Sequence, residues 1–190
     1  MNDQPVLVLV APGFEEVELT APVDILRRLG IKVTLAGVQG LWVKGAHDIA
    51  LQADMLLVDV DAADFRGVIL PGGPASWLLR DTPAVLSIVR EMQQAGKLVA
   101  AICAAPLALE AAGVLADRHI TSYPAEDVRK DLRSPRFISE SPVVVDGNLI
   151  TGRGPGAAME FGYALGAYLG CAEQVQQLQK DMCYQALLAK

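Results

Sequence analysis

Short runs of apolar residues, each followed by glycine, proline or other small residues, recur along the chain and restrict the folds open to it. The runs Val6–Val10, 68–70 and Leu98–Ile102 contain no polar residue. A strand without alternation between apolar and polar residues is buried on both faces, as in a parallel sheet covered by helices. The sequence therefore predicts a sheet whose inner strands are parallel.

Helical patterns lie between these runs. Residues 15–29 carry leucine and valine at helical spacing with acids in the first turn, and Gly30 stands where a helix would end. Pro22 predicts a kink or a late start of this helix. Residues 31–36 form the next predicted strand, so the N-terminal part predicts a β-α-β unit with a right-handed crossover.

The rest of the chain continues the alternation. The further predicted elements are a hairpin of 41–43 and 48–53, helices at 83–95 and 104–112, a strand at 120–122, a hairpin of 143–145 and 149–151, a helix from the loop 152–156 to about 169, and a last helix at about 172–188. No linker, repeat or low-complexity segment interrupts the pattern. We expect one doubly wound α/β domain over residues 1–190.

Charge and cysteine content narrow the classes of function. The net charge of −6 argues against nucleic acid as a partner. Cys103, Cys171 and Cys183 form no CxxC or CxxH spacing, and His47 and His119 are too few and too far apart for an ordinary zinc site. A disulfide-stapled secreted protein and a metal enzyme are both disfavoured, and no metal or other cofactor is expected. Free thiols fit a reducing cytoplasm.

The apolar stretch 98–116 is interpreted as buried core and not as a membrane span, because it contains Pro106, Glu110 and Gly113. The N-terminus lacks the basic region of a signal peptide. Both observations predict a cytoplasmic protein that has no membrane partner. Hydrophobic residues make up 52% of the chain and charged residues 20%, which favours an oligomer weakly.

Cys103 follows the run Leu98–Ile102 directly and has alanine two positions away on either side, at 101 and 105. A nucleophile elbow, a sharp turn between a strand and a helix, needs small residues at those positions. Free N–H groups at such a turn stabilise a thiolate, so the sequence predicts a reactive cysteine of low pKa. The structural alternative is a buried cysteine that only packs, since cysteine is often buried.

Two other segments come to the same edge of the predicted sheet, where the carboxyl ends of parallel strands meet. Gly72 and Gly73 end the strand 68–70, and their N–H groups can approach a ligand closely, as in an oxyanion hole; a tight turn is the alternative. Glu18 follows the first strand. If Glu18 contacts Cys103, we predict that it is protonated, because an ionised carboxyl would oppose a thiolate. Glu15 and Glu16 are explained by a favourable first helical turn.

These segments together resemble the ThiJ/PfpI superfamily, also called the DJ-one family, and within it the branch that holds the Parkinson's-associated protein deglycase. The matching residues, in order, are 13–18, 22–24, 27–28, 30–33, 70–73, 100–104, Pro106 and 153–156. The resemblance implies a flavodoxin-like fold of the class I glutamine amidotransferase type and a homodimer. It also implies an oxidation-prone cysteine and a protonated glutamate at the positions of Cys103 and Glu18.

Further site residues are implied by the same resemblance. The N–H groups of Gly73 and Ala104 match the family's oxyanion pocket, and Arg28 matches an arginine near the site. Two positions depart from the branch: Tyr123 stands where a histidine is common, and His47 where an arginine can reach the partner subunit. Tyrosine is a poor base near neutral pH, so the residue at that position is not expected to act as a general base.

The implied activities are glutathione-independent conversion of methylglyoxal or glyoxal to a hydroxy acid, repair of early glycation adducts, redox sensing and chaperone-like holding. The first hypothesis is an enzyme in which Cys103 turns over small reactive carbonyls. The second is a sensor whose Cys103 is oxidised to sulfinic acid without repeated turnover. A peptidase or an amidotransferase is disfavoured, because Ala104 follows the cysteine where the peptidase branch has histidine, and no histidine follows His119.

Overall fold

A seven-stranded sheet forms the centre of the computed structural model, which describes residues 3–184. In chain order the strands are β1 (Val6–Val10), β2 (Val33–Gly37), β3 (Trp42–Lys44), β4 (Ala50–Gln52), β5 (Met55–Leu56), β6 (Gly67–Leu70), β7 (Leu98–Ile102), β8 (His119–Thr121), β9 (Phe137–Ser139), β10 (Val143–Asp146) and β11 (Leu149–Gly152). The central sheet has the order β10-β11-β7-β6-β1-β2-β5. Its strands are parallel except β10, which pairs antiparallel with β11 at one edge.

Helices cover both faces of this sheet, as in the flavodoxin-like, doubly wound folds that the sequence predicts. The helices are α1 (Glu16–Arg28), α2 (Ala75–Asp81), α3 (Pro83–Gln94), α4 (Pro106–Ala112), α5 (Glu126–Arg129), α6 (Ala158–Gly166) and α7 (Ala172–Asp181). One group packs α1 against α6, and the other packs α2 and α3 against α4. None of the helices within residues 3–184 is long and apolar enough to cross a membrane.

The unbroken apolar runs do form buried strands. Every residue of β1 and β7 is buried, as the absence of alternation predicts. Both predicted hairpins are present, one as β3 with β4 and the other as β10 with β11. Pro22 lies inside α1, which starts at Glu16, so the helix does not begin late.

Some boundaries differ from the prediction. The helix predicted from residue 104 begins at Pro106, because Cys103 to Ala105 form a separate turn. The helix predicted to run to residue 169 changes to a π-helical segment at Ala167–Cys171, where Gly170 has a left-handed φ of 94°. The part of the last predicted helix at residues 185–188 lies outside the described residues.

Candidate active site

Three loops meet at the carboxyl ends of β1, β6 and β7, which are neighbours in the sheet. Leu70 lies opposite Ala101 in the β6–β7 register, so the residues just beyond these two strands are level with each other. The first two loops are joined by a hydrogen bond of 3.0 Å from the N–H of Glu15 to the carbonyl of Gly72. The topology therefore brings the predicted segments around Glu18, Gly72 and Cys103 together.

Cys103 has the backbone geometry of a nucleophile elbow. Its φ of 65° lies in the left-handed region, which costs a residue with a Cβ of the order of 1–2 kcal/mol. Two backbone hydrogen bonds of 2.9 Å hold this conformation: the N–H of Cys103 donates to Gly152, and the N–H of Tyr123 donates to the Cys103 carbonyl. The small residues on either side, Ala101 and Ala105, are fully buried.

The Cys103 sulfur is buried, and its surroundings shift its pKa in opposite directions. The side chain is 7% exposed. Burial is the main cause that raises the pKa of Cys103 to about 12, and the negative charge of Glu18 adds to it, while the backbone N–H groups of Gly73 and Ala104 donate to the sulfur and lower the pKa. The prediction of a low-pKa thiolate is therefore wrong, because burial, the larger cause, raises the pKa whatever the charge of Glu18.

Glu18 is the ionisable side chain that interacts with the sulfur of Cys103. Its carboxyl is fully buried, and Oε2 accepts the N–H of Gly72 at 3.0 Å. Burial raises the pKa of Glu18 to about 7, with help from the charge of Glu15 and against hydrogen bonds with Cys103 and Gly72. The other oxygen, Oε1, accepts from no N–H or O–H group within residues 3–184. A proton on Glu18 removes the charge that opposes the thiolate, so the two groups compete for one proton.

At the two glycines after β6, Gly72 and Gly73, there is no space for a Cβ atom. A Cβ on Gly72 would lie 2.4 Å from Glu18 Oε2 and 2.5 Å from Cys103 Cβ. A Cβ on Gly73 would lie 2.6 Å from the backbone of Glu15 and Gly13, and Gly73 has a φ of +81°. Glycine at these positions allows the carboxyl and the sulfur to approach the same turn.

Gly72→Ala is expected to lower the free energy of unfolding by about 1–3 kcal/mol, because the new methyl group must displace Glu18 or Cys103. The measurement is urea unfolding followed by circular dichroism. Gly40→Ala is the matched control, since a Cβ on Gly40 meets nothing within 4 Å. Equal stability of the two variants would contradict the predicted clash, because it would mean that the turn accommodates a methyl group at position 72.

A cavity of about 280 Å³ opens beside Cys103. Its floor includes Gly73 and Ala104, and its walls include Trp77 and Tyr123. Trp77 is not identified as a site residue from the sequence, although it follows Gly73 by only one helical turn and lines this cavity. A larger hollow of about 490 Å³ lies next to this cavity and shares Tyr123 and Pro155 with it.

The two basic candidates from the sequence are not brought to Cys103 within one chain. Arg28 lies at the other end of α1, ten positions beyond Glu18 and thus about 15 Å along the helix axis, and it pairs with Asp24 at 2.7 Å. His47 does not line the Cys103 cavity. Its Nδ1 lies 2.9 Å from Glu16 Oε2. Only Tyr123 of the auxiliary candidates borders the cavity.

Glu16 has a role that the sequence does not reveal. It was explained as an ordinary first-turn acid, yet it is buried and binds the loop between β3 and β4. Its carboxylate accepts the N–H groups of His47 at 2.7 Å and of Ile49 at 3.4 Å, as well as the His47 ring. Glu16 therefore fixes the β3–β4 hairpin to the start of α1, next to the Cys103 loop.

The pKa of His47 is expected to lie above its ordinary value near 6.5, since Glu16 accepts a hydrogen bond from the ring and the charges of Glu15 and Glu16 lie close. A raised histidine pKa favours folding below pH 6.5, and the benefit is lost as the pH rises through the folded-state pKa. An NMR titration of the His47 ring measures this. Glu16→Gln should return the pKa toward its ordinary value; an unchanged titration would mean that the pairing is absent in solution.

Glu15, Glu16 and His47 also form the only group among residues 3–184 whose potential ligand atoms lie close enough for a metal ion, within 4.8 Å of one another. Glu16 already accepts two backbone N–H groups and the imidazole. The group is fully explained by these hydrogen bonds and by the ion pair with His47.

Comparison with known proteins gives a consistent set of relatives. The model of the DJ-1/PfpI family matches residues 4–167. Protein DJ-1beta of Drosophila melanogaster is 40% identical over 178 residues, which cover 93% of this chain and 95% of that protein. Its crystal structure superposes with a TM-score of 0.89 over 95% of this chain and 97% of that one.

Two relatives carry names that describe an activity. A glutathione-independent glyoxalase of Caenorhabditis elegans, DJR-1.2, is 32% identical over 178 residues, covering 93% of this chain and 95% of that protein. A deglycase of Thermococcus kodakarensis, TK1284, is 36% identical over 153 residues, covering 80% of this chain and 90% of that protein.

Proposed function

Because this chain belongs to the DJ-1/PfpI family, we propose that it is a cysteine-dependent enzyme that converts methylglyoxal and glyoxal to hydroxy acids without glutathione. The observation that carries the proposal is the pairing of a strained Cys103, φ 65°, with a buried carboxyl of raised pKa, Glu18. Relatives named as a glyoxalase and a deglycase support carbonyl chemistry of this kind. The physiological role would be protection against reactive carbonyls.

The first step uses the proton that Glu18 and Cys103 share. In the form that reacts, the proton is on Glu18 and the sulfur is a thiolate, which adds to the aldehyde carbon of the substrate. The new alkoxide oxygen takes the proton from Glu18, which gives a hemithioacetal and leaves Glu18 as a carboxylate. The N–H groups of Gly73 and Ala104 donate to the sulfur beforehand, and in this proposal they stabilise the developing oxyanion.

The second step moves a proton between two carbons. The Glu18 carboxylate takes the C–H proton of the hemithioacetal carbon, which leaves an enediolate. The hydroxyl proton on the sulfur-bearing carbon passes to the former ketone oxygen, and Glu18 returns the C–H proton to the former ketone carbon. A thioester of the hydroxy acid results. Water hydrolyses the thioester and restores the thiol. The aldehyde carbon is oxidised and its neighbour reduced, so the reaction consumes only water and needs no external oxidant.

The test is a direct assay for the product. Purified, reduced protein is mixed with methylglyoxal in the absence of glutathione, and lactate is followed by NMR; glyoxal in a parallel sample should give glycolate. Steady formation of both acids supports the proposal. Loss of methylglyoxal without lactate would overturn it, since simple modification of side chains also consumes the aldehyde.

A redox sensor is the second candidate, and one feature of the site favours it. A single sulfur lies between two N–H donors and an acid that can be protonated, which is the environment that holds a sulfinate. Hydrogen peroxide would then add two oxygen atoms to Cys103, visible by mass spectrometry, with no product released. Chaperone-like holding remains a prediction from the family resemblance.

We also propose that the protein acts as a homodimer in the cytoplasm. Val17 at the start of α1 and Ile49 in the β3–β4 hairpin are exposed apolar side chains on elements that Glu16 joins, and they suit contact with a second copy. In a dimer, His47 can approach the partner's site, as the family resemblance implies for an arginine at its position. Three free cysteines suit a reducing compartment.

A further inference from the structure

The cavity beside Cys103 is larger and more aromatic than methylglyoxal requires. Its volume of about 280 Å³ is near the lower end for drug-sized ligands, roughly 300–1,000 Å³. Trp77 and Tyr123 both line it, with Pro74 and Pro155. The three carbons of methylglyoxal, once bonded to the sulfur, would leave much of this wall without a partner.

Both aromatic rings are held by the elements that build the active-site turn. The backbone N–H of Tyr123 donates to the carbonyl of Cys103 at 2.9 Å. Its ring lies over Gly154, where an added Cβ would come within 3.3 Å of Cδ2. Trp77 is half-buried in α2, which starts two residues after Gly73, a donor to the sulfur. The wall is therefore fixed relative to the reactive sulfur.

The charges in the cavity indicate which substituents it accepts. Its charged lining residues are Glu15 and Asp127, both acidic, and no lysine or arginine is among the lining residues. Among the lining residues of one subunit, a substrate with a carboxylate or phosphate would meet only like charges. An uncharged, apolar substituent meets proline and aromatic side chains instead.

We infer that this cavity selects 2-oxoaldehydes that carry an aromatic substituent, with Trp77 and Tyr123 as the residues that determine this specificity. The inference rests on the proposed function, because it concerns the substrate of the same cysteine. An aryl ring can lie edge-on or offset against both side chains, an arrangement that a methyl group cannot make. The reaction is unchanged: phenylglyoxal and one water give mandelate.

The experiment compares two substrates in several variants, so that the different intrinsic reactivities of the aldehydes cancel. The value of kcat/KM is measured for phenylglyoxal and for methylglyoxal, and their ratio is compared between proteins. We expect the ratio to fall about tenfold in Tyr123→Ala and in Trp77→Ala, since an apolar pocket discriminates by roughly 10–200-fold. Tyr123→Phe should keep the ratio, because the ring and not the hydroxyl forms the wall.

Matched controls lie elsewhere on the chain. Tyr168→Ala removes a tyrosine that is 40% exposed, close to the 43% of Tyr123, and Trp42→Ala removes an exposed tryptophan of β3. Neither lines the cavity, and both should leave the ratio unchanged. Tyr123 is exposed, so Tyr123→Ala is expected to fold. It therefore tests the inference even if Trp77→Ala does not fold.

The outcomes separate the inference from the proposed function. Lactate and mandelate formation with a ratio that is the same in Tyr123→Ala and Tyr168→Ala would overturn the aromatic preference and leave the enzyme proposal intact. A fall of the ratio in Tyr123→Phe as large as in Tyr123→Ala would also overturn it, and would assign the effect to the hydroxyl. If neither acid forms in the wild-type protein, the proposed function fails and the inference fails with it.

Discussion

Cys103→Ser should lower kcat/KM for methylglyoxal by about 10³-fold or more, the range lost when a covalent nucleophile is removed. Serine is nearly the same size, so the elbow and its hydrogen bonds to Gly152 and Tyr123 should remain. A hydroxyl is far less acidic than a thiol, and Glu18 alone cannot make it an effective nucleophile. Lactate formation by NMR measures the loss.

The chain supplies its own control for this variant. Cys183 is an exposed free cysteine, and Cys183→Ser should retain full activity. Unfolding curves of the two variants should match that of the wild type within about 1 kcal/mol, which separates loss of chemistry from loss of fold. Cys103→Ser protein that still forms lactate at the wild-type rate would place the reaction somewhere other than this sulfur.

Glu18→Gln should lower kcat/KM by about 10²–10⁴-fold, the usual contribution of a positioned acid or base. Glutamine has nearly the same shape as glutamate, and its amide oxygen can still accept the hydrogen bond from the Gly72 N–H. The amide can neither give nor take the proton that moves between the two substrate carbons. Because the pKa of Glu18 is about 7, the wild-type enzyme should change activity across neutral pH. The variant's residual activity should lack that change, and pH–rate profiles of both proteins provide the measurement.

Stability distinguishes this chemical role from a structural one. Burial raises the folded-state pKa of Glu18 above its ordinary value, so the contribution to stability is present below the ordinary pKa and is lost as the pH rises through about 7. Glutamine resembles the neutral acid, so Glu18→Gln should be at least as stable as the wild type at pH 8. A variant that is inactive and also unstable at pH 8 would indicate that the carboxylate only supports the fold.

The central sheet could be predicted from the sequence because its strands are buried on both faces. Unbroken apolar runs such as β1 and β7 indicate strands that are covered by helices on both faces. In a parallel sheet the carboxyl ends of such strands meet at one edge. The placement of Glu18, Gly72 and Cys103 at one edge of the sheet followed from this, whereas the pairing of Glu18 with Cys103 was implied by the family resemblance. The start of α4 was two residues wrong, since small residues such as Ala104 and Ala105 suit both a helix and a turn.

Properties that depend on the environment of a side chain could not be predicted. Glu16 and Glu15 are adjacent acids with the same composition around them, yet Glu16 is buried against the hairpin. The pKa of Cys103 was expected to be low from the turn alone, and burial together with the Glu18 charge reverses the direction. Arg28 was carried over from the family pattern, which does not say whether the arginine serves its own subunit or its partner.

Cys103 and Glu18 together should turn over an oxoaldehyde repeatedly. In the most direct test, a known amount of reduced protein is mixed with a large excess of methylglyoxal. Lactate is quantified by NMR, and the mass of the peptide that contains Cys103 is determined in the same sample by mass spectrometry. We predict many lactate molecules per Cys103, with the thiol unmodified at the end. At most one event per site, with Cys103 covalently altered, would contradict the enzyme and favour a sensor.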